Sequence, residues 1–288
     1  MWVDRDGQPV ETVIENENIF GYPRLSPDGT RVALNIRGPD VWILDLERGT
    51  ETRLTEEGSN VYPIWDVDGE HVTYTASSST ARFDLFSRPA DLSGPVQPRV
   101  VSERSKNAGS WSPRDGTLMY MQGGPDTRRD IWVLPEGGEP RLFLQTPFSE
   151  GAPRRSPDGR WVAYVSDQPG ELRVFVRPFE GGDQVIPVST GAGGEVVWSR
   201  DGTELFYREG PRMMSVSVTD GAALTLGNPQ VLFEGTFATD LTGPGVIPSY
   251  DVSLDGQRFL MVTRNASDDE VVVVQHGFEE LKRLVPIN

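Results

Sequence analysis

Few residues in this chain have the types and spacing for covalent chemistry. It holds two histidines, His71 and His276, and no cysteine. That removes disulfides, thiolate nucleophiles, thiolate metal sites and histidine-rich zinc or iron centres. A Ser-His-Asp arrangement would have to use one of those two histidines, and no GxSxG turn is present. Each histidine reads as structural, His71 opening a β-prone run and His276 closing one. The segments 4-DRDG-7 and 66-DVDGE-70 carry the Asp-x-Asp-Gly core of some calcium loops. Neither continues to the distal glutamate of the twelve-residue pattern, so both read as turns.

What remains is a set suited to binding. Tyr22, Asn60, Tyr62, Asn107, Glu150, Glu195 and Tyr250 all lie just ahead of one recurrent turn. Brought together, these phenols, amides and carboxylates can hold a peptide, a small polar ligand or a hard cation. Asn60, Asn107, Glu150 and Glu195 form the one candidate calcium set, and Glu150 with Glu195 the one candidate carboxylate pair for glycoside hydrolysis. Arg82, Arg128 and Arg129 could clamp a carboxylate-bearing partner. Each has a plainer role available, the tyrosines as wedges between packed sheets and the charged residues as solvated loops. An eighth candidate, Arg155, is singled out by the repeat itself.

The elements that must position these residues are written as that repeat. Asp-Gly turns occur at 26-SPDG-29, 66-DVDG-69, 112-SPRDG-116, 156-SPDG-159, 199-SRDG-202 and 253-SLDG-256. In each the glycine supplies the positive φ that closes the turn. An anchor residue before every turn lies nine positions ahead of an apolar or aromatic residue: Leu25/Leu34, Trp65/Tyr74, Trp111/Tyr120, Arg155/Tyr164, Trp198/Tyr207 and Val252/Met261. The anchors are 40 to 54 residues apart, the period of a four-stranded propeller blade. Third strands follow at 41-VWILDL-46, 84-DLFSR-88, 130-DIWVL-134, 172-LRVFVRPF-179, 213-MMSVSV-218 and 271-VVVVQH-276. A β-sandwich of similar strand density has no reason to repeat one hairpin at this interval.

The expected fold is therefore all-β, a six-bladed propeller of four-stranded antiparallel blades forming a single domain over 1–288. Its blades are placed at about 15–57, 58–104, 105–147, 148–191, 192–236 and 237–277. The N-terminal segment 2–14 reads as a third strand, a turn and a fourth strand, with 10–14 completing the last blade as a clasp. The segment 278-FEELKRLVP-286 reads as a short amphipathic helix. The alternative is an excerpt from a seven- or eight-bladed propeller that begins upstream.

Composition agrees. A net charge of −16 argues against nucleic acid and against anionic membrane surfaces, both polyanions, and favours neutral or cationic ligands. No apolar run reaches the roughly 18 residues of a membrane-spanning helix, and no segment reads as a signal peptide. Membrane insertion by this chain is not expected. The 31 glycines and 23 prolines mark turns, since apolar runs recur throughout.

The repeats 22-YPRLSPDGTRVAL-34, 151-GAPRRSPDGRWVAYVS-166 and 198-WSRDGTELFYR-208 resemble those of TolB-like β-propellers. The segments 2-WVDRDG-7, 147-PFSEGAP-153, 175-FVRPFEGG-182, 250-YDVSLDGQRFLMV-262 and 278-FEELKRLVP-286 are similar to the propeller region that follows the kinase and membrane segment of many bacterial serine/threonine kinases. The resemblance covers essentially the whole chain. It implies an extracytoplasmic sensor or protein-binding module, periplasmic or at the cell surface, attached to a kinase and membrane segment upstream. It brings no catalytic residue set, and no HRD, DFG or glycine-rich kinase loop is present here.

In a propeller the short Asp-Gly turns share one face, the turn face. The longer, more varied loops share the other, the loop face, where binding residues concentrate. The expectation is thus a non-catalytic module that binds a protein, peptide or small polar ligand at the loop face around the central channel. No resident cofactor is expected, calcium being the one candidate. The alternative is a calcium- or carboxylate-dependent hydrolase, lactonase or lyase at the channel mouth. Arg155, the one charged anchor, is expected to reach the channel and pair with Glu150, Glu195 or Asp251.

Overall fold

A computed structural model of the chain describes residues 1–14, 19–36, 38–77, 82–124, 128–168, 170–221, 223–239 and 247–263. Among these residues there is no helix, and the strands fall into six antiparallel sheets arranged as propeller blades. The chain opens with β1 (Trp2–Asp4) and β2 (Pro9–Glu11), then builds blade 1 from β3 (Ile19–Leu25), β4 (Arg31–Ile36), β5 (Val41–Asp45) and β6 (Thr50–Arg53). Blade 2 is β7 (Ser59–Trp65), β8 (His71–Ser77), β9 (Asp84–Pro89) and β10 (Gln97–Val100). Blade 3 is β11 (Lys106–Trp111), β12 (Leu118–Gln122), β13 (Asp130–Leu134) and β14 (Arg141–Leu144). Blade 4 is β15 (Glu150–Arg155), β16 (Trp161–Ser166), β17 (Arg173–Pro178) and β18 (Ile186–Pro187).

Blade 5 has five strands, β19 (Gly194–Trp198), β20 (Glu204–Glu209), the long β21 (Arg212–Asp220), β22 (Leu224–Leu226) and β23 (Gln230–Glu234). The two short strands share β21, β22 pairing with its end and β23 with its beginning. Blade 6 starts with β24 (Tyr250–Val252) and β25 (Arg258–Met261), and its order β2-β1-β25-β24 brings the N-terminal segment in as third and fourth strands. Six blades close through that pairing, as the clasp reading expects. Trp2–Asp4 stands beside β25 in the third place, where the run 271–276 was also expected. An apolar run announces a strand without naming its partner. Residues 271–276, His276 among them, and the helix expected at 278–286 lie outside the described residues.

The local chemistry of the turns explains why the repeat folds alike. In blade 1 the Ser26 hydroxyl donates to Asp28 Oδ1 and accepts the Arg31 N–H, while the Gly29 N–H donates to the Ser26 carbonyl. Gly29 has a φ of 74°, which a side chain would resist. The same serine-aspartate-glycine set recurs at Ser156, Ser199 and Ser253. Each anchor then sits opposite the residue seven positions on, as Leu25 does Val32 and Trp65 does Val72. The residue nine positions on lies on the same face two places further, which is the spacing seen in the sequence. Those faces pack between blades. Ala33, Val41, Leu54, Trp65, Val72 and Tyr74, for example, form one buried cluster between blades 1 and 2.

Candidate functional site

The inner strand of each blade faces the channel, and four of them carry the same distortion. Tyr22, Tyr62, Ala152 and Glu195 adopt left-handed backbone conformations, with φ of 58°, 56°, 48° and 55°. All four stand three residues before an anchor, where the pairing slips between Gly21/Arg24, Val61/Ile64, Gly151/Arg154 and Gly194/Val197. A bulge at this point re-aims the side chains ahead of it. A non-glycine residue in this region costs on the order of 1–3 kcal/mol, and such strain clusters at binding and active sites.

On the loop face the structure brings some of the expected site residues together and seals others away. The Tyr22 and Tyr62 rings meet edge to face with centroids 4.7 Å apart. Tyr62 and Asn107 line one cavity of about 470 Å³ with Arg128 and Arg129. Arg82 is exposed and lies 3.5 Å from Asp84, with its Nε toward that carboxylate.

Asn60 is buried instead of presented to the channel. Its side-chain amide donates to the Glu57 carbonyl, and its own carbonyl accepts from Asn35. Glu150 and Glu195 are buried as well. Glu150 accepts the hydroxyls of Thr146 and Ser166, and Glu195 accepts that of Ser249. Desolvation raises the Glu150 carboxyl to about 7, helped by the charges of Asp130 and Asp167. Tyr250 is fully enclosed and donates its hydroxyl to the Glu195 carbonyl. Among the described residues, no group of three or more His, Asp or Glu side chains is arranged to hold a metal ion.

Arg155 departs from expectation. It is buried, yet its acid is Asp115 of blade 3, at 3.1 Å, and not Glu150, Glu195 or Asp251. Its guanidinium lies 3.4 Å from the centre of the Phe179 ring and also donates to the Gly159 carbonyl. The physical reason is reach. The anchor side chain points into the blade interface, so the acid it meets belongs to the preceding blade.

Arg155 does border the channel cavity, as expected, and so does the residue one step earlier, which sequence reasoning passed over. One position before each anchor stand Arg24, Ile64, Ser110, Arg154, Val197 and Asp251, one from every blade. All six line a cavity of about 440 Å³ that opens on the turn face. Strand alternation carries the signal, since neighbours of an interface residue must face the other way. The charged residues at this offset could have been read from the repeat.

No family model matches the chain. An uncharacterised protein of Agrobacterium fabrum is 26% identical over 200 residues, 64% of this chain and 67% of that one. Among solved structures, a protein of Agrobacterium tumefaciens described as a TolB superposes with a TM-score of 0.71 at 19% identity, covering 92% of this chain and 97% of its own. The fold is TolB-like. An oligogalacturonate lyase in complex with manganese superposes with a TM-score of 0.59 at 13% identity, covering 88% of this chain and 80% of the lyase. One propeller frame thus serves proteins of different description, and what it does here rests on its own side chains.

Proposed function

We propose that this propeller is a non-catalytic recognition module that binds a protein or peptide, or a small polar ligand, on its loop face. The observation that carries this reading is the loop-face cavity where Tyr62 and Asn107 meet Arg128 and Arg129. A phenol, an amide and two guanidiniums around one opening offer donors and a stacking surface, the equipment for an acidic or amide-rich segment. Strained backbone at Tyr62, which lines the opening, and at Tyr22, whose ring packs on that of Tyr62, supports a built surface. The resemblance of 147–153, 175–182 and 278–286 to kinase-associated propellers supports an extracytoplasmic position downstream of a kinase and membrane segment.

Selection of peptides from a displayed library on the purified chain tests the reading. Acid-bearing binders are expected, with affinity at least about tenfold weaker for R128E/R129E and for N107A. An empty selection, or binders indifferent to both variants, would overturn it.

The competing reading is a hydrolase, lactonase or lyase at the channel mouth, and it draws on the near-neutral Glu150 carboxyl. That side chain is enclosed and bonded to Thr146 and Ser166, which supports a structural part instead. Turnover of a lactone or uronate panel that disappears in E150Q would reverse this preference.

A further inference from the structure

The turn-face end of the channel has chemistry that the loop-face site does not use. Arg24 and Arg154 stand at equivalent positions of blades 1 and 4 and line the same cavity. Arg24 is 6% exposed, and Arg154 is half-buried with its Nε and Nη2 atoms sealed from solvent. Arg24 donates to the carbonyls of Pro23, Pro248 and Tyr250, and its Nε has no partner. Arg154 donates once, to the Gly109 carbonyl, leaving Nε and Nη2 unpartnered. Neither forms an ion pair with a described carboxylate.

Two carboxylates act on them from nearby, Asp251 on both and Glu195 on Arg24. Asp251 is the acid of this ring, and its two oxygens accept the N–H groups of Leu25 and Val252. Asp66, also at the wall, is bound to Arg99, and Arg155 to Asp115. Arg200 adds a further cation at the rim. A chain of net charge −16 thus gathers guanidiniums at one end of its channel, with donors on Arg24 and Arg154 that no described group accepts. Burial and the neighbouring charge of Arg24 pull Arg154 down to about 9. Two cations with unmet buried donors are costly to enclose, and an anion that joins them offsets that cost.

We propose that this cavity is a binding site for an organic carboxylate, held by Arg24 and Arg154. The planar fork of a guanidinium matches a carboxylate with two parallel hydrogen bonds. The walls above the arginines are the indoles Trp65, Trp111 and Trp198 and the rings of Pro27 and Pro157. They suit a flat or apolar body behind the acid group, and a cavity of about 440 Å³ has room for one small molecule or one terminal residue of a chain. Inorganic phosphate shares the charge but has nothing to offer those walls, and it is costlier to desolvate.

Calorimetric titration of the whole chain tests this, with benzoate and indole-3-acetate against benzamide and indole-3-acetamide, and with inorganic phosphate as a separate arm. Saturable binding is expected for the acids, none for the amides, and weaker binding for phosphate. R24Q and R154Q are each expected to weaken the acids at least about tenfold, with R154K between R154Q and the parent. Because R154Q removes a poorly matched buried charge, it is expected to melt at or above the parent temperature. No saturable binding of either acid up to about 10 mM would overturn the proposal. So would equal affinity for acids and amides, or phosphate binding tighter than both acids. R154Q melting well below the parent would give Arg154 a structural role and overturn its part as a binding residue.

Discussion

At the scale of single residues, Glu150 and Arg155 make opposite use of burial. Glu150 ordinarily titrates at 4.5 and is pushed up to about 7, so between those values the folded state holds a proton that the unfolded chain has released. Stability from this group is therefore complete below about 4.5 and falls as pH rises through about 7, by at most about 3 kcal/mol. Replacing Glu150 with Gln removes the titration and keeps the shape. The fall in melting temperature from pH 5 to 7.5 should be smaller in E150Q than in the parent, and identical slopes would refute the assignment. Arg155 keeps its charge through Asp115 and the face of Phe179. R155A is expected to lose about 2–3 kcal/mol in urea denaturation, from lost packing and a broken pair. D115N should lose under about 1 kcal/mol, because Asp115 is 40% exposed. The sequence marked Arg155 as exceptional but not its partner, since a blade-to-blade contact 40 residues back leaves no local trace. Net charge misdirected in the same way, as a total of −16 says nothing of where Arg24 and Arg154 are gathered.

At the scale of elements, the anchor is a tie between blades as well as a core residue. The Trp65 indole donates to the Arg24 carbonyl of blade 1 at 2.8 Å, and the Trp198 indole to the Arg154 carbonyl of blade 4 at 3.1 Å. Trp111 reaches back to Thr73 of blade 2, and Arg155 to Asp115 of blade 3. The arginine in the fourth copy thus does the work of a tryptophan by other means. W65F and W198F each take that donor from a carbonyl, buried at Arg24 and half-buried at Arg154, and should cost about 1–2 kcal/mol. Because the two ties lie in separate blade interfaces, the double variant should lose close to the sum. A coupling above about 1 kcal/mol in chemical denaturation would mean that the ties act through a shared element. The nine-residue spacing was legible because a fixed turn and a two-residue strand period leave it no freedom. The divided fourth position of blade 5 was not, since it depends on β21 being long enough to pair with both β22 and β23. The channel ring sat one residue from the anchors throughout. Asp251 aside, it was missed because the tryptophan and arginine anchors drew the reading toward the interfaces.

At the scale of the whole molecule, the ring of blades is held shut by β1 and β2. Trp2 and Val3 are buried, and Trp2–Asp4 pairs along Arg258–Leu260. Arg5 adds two hydrogen bonds of 2.8 Å to the Glu204 carboxylate of blade 5 and one to the Gly256 carbonyl. The clasp therefore bridges two blades, and Glu204, held below the usual carboxylate range by Arg5, stays charged in mildly acid solution. Removing residues 1–11 loses the burial of Trp2 and Val3 and uncovers the surface they pack on, worth about 5 kcal/mol, and should lower the melting temperature by roughly 10 °C. It also leaves the outer edge of β25 unpaired, which invites association with another strand. The truncated chain should sediment partly as larger species than the parent, and a synthetic peptide of residues 1–14 added in excess should restore both the melting temperature and the parent's sedimentation. A truncated chain that melts like the parent and gains nothing from the peptide would show that the six blades hold their ring through the inner strands alone. In that case the channel floor of Arg24, Arg154 and Asp251, which spans blades 1, 4 and 6, would have to be set by blade packing without help from the clasp.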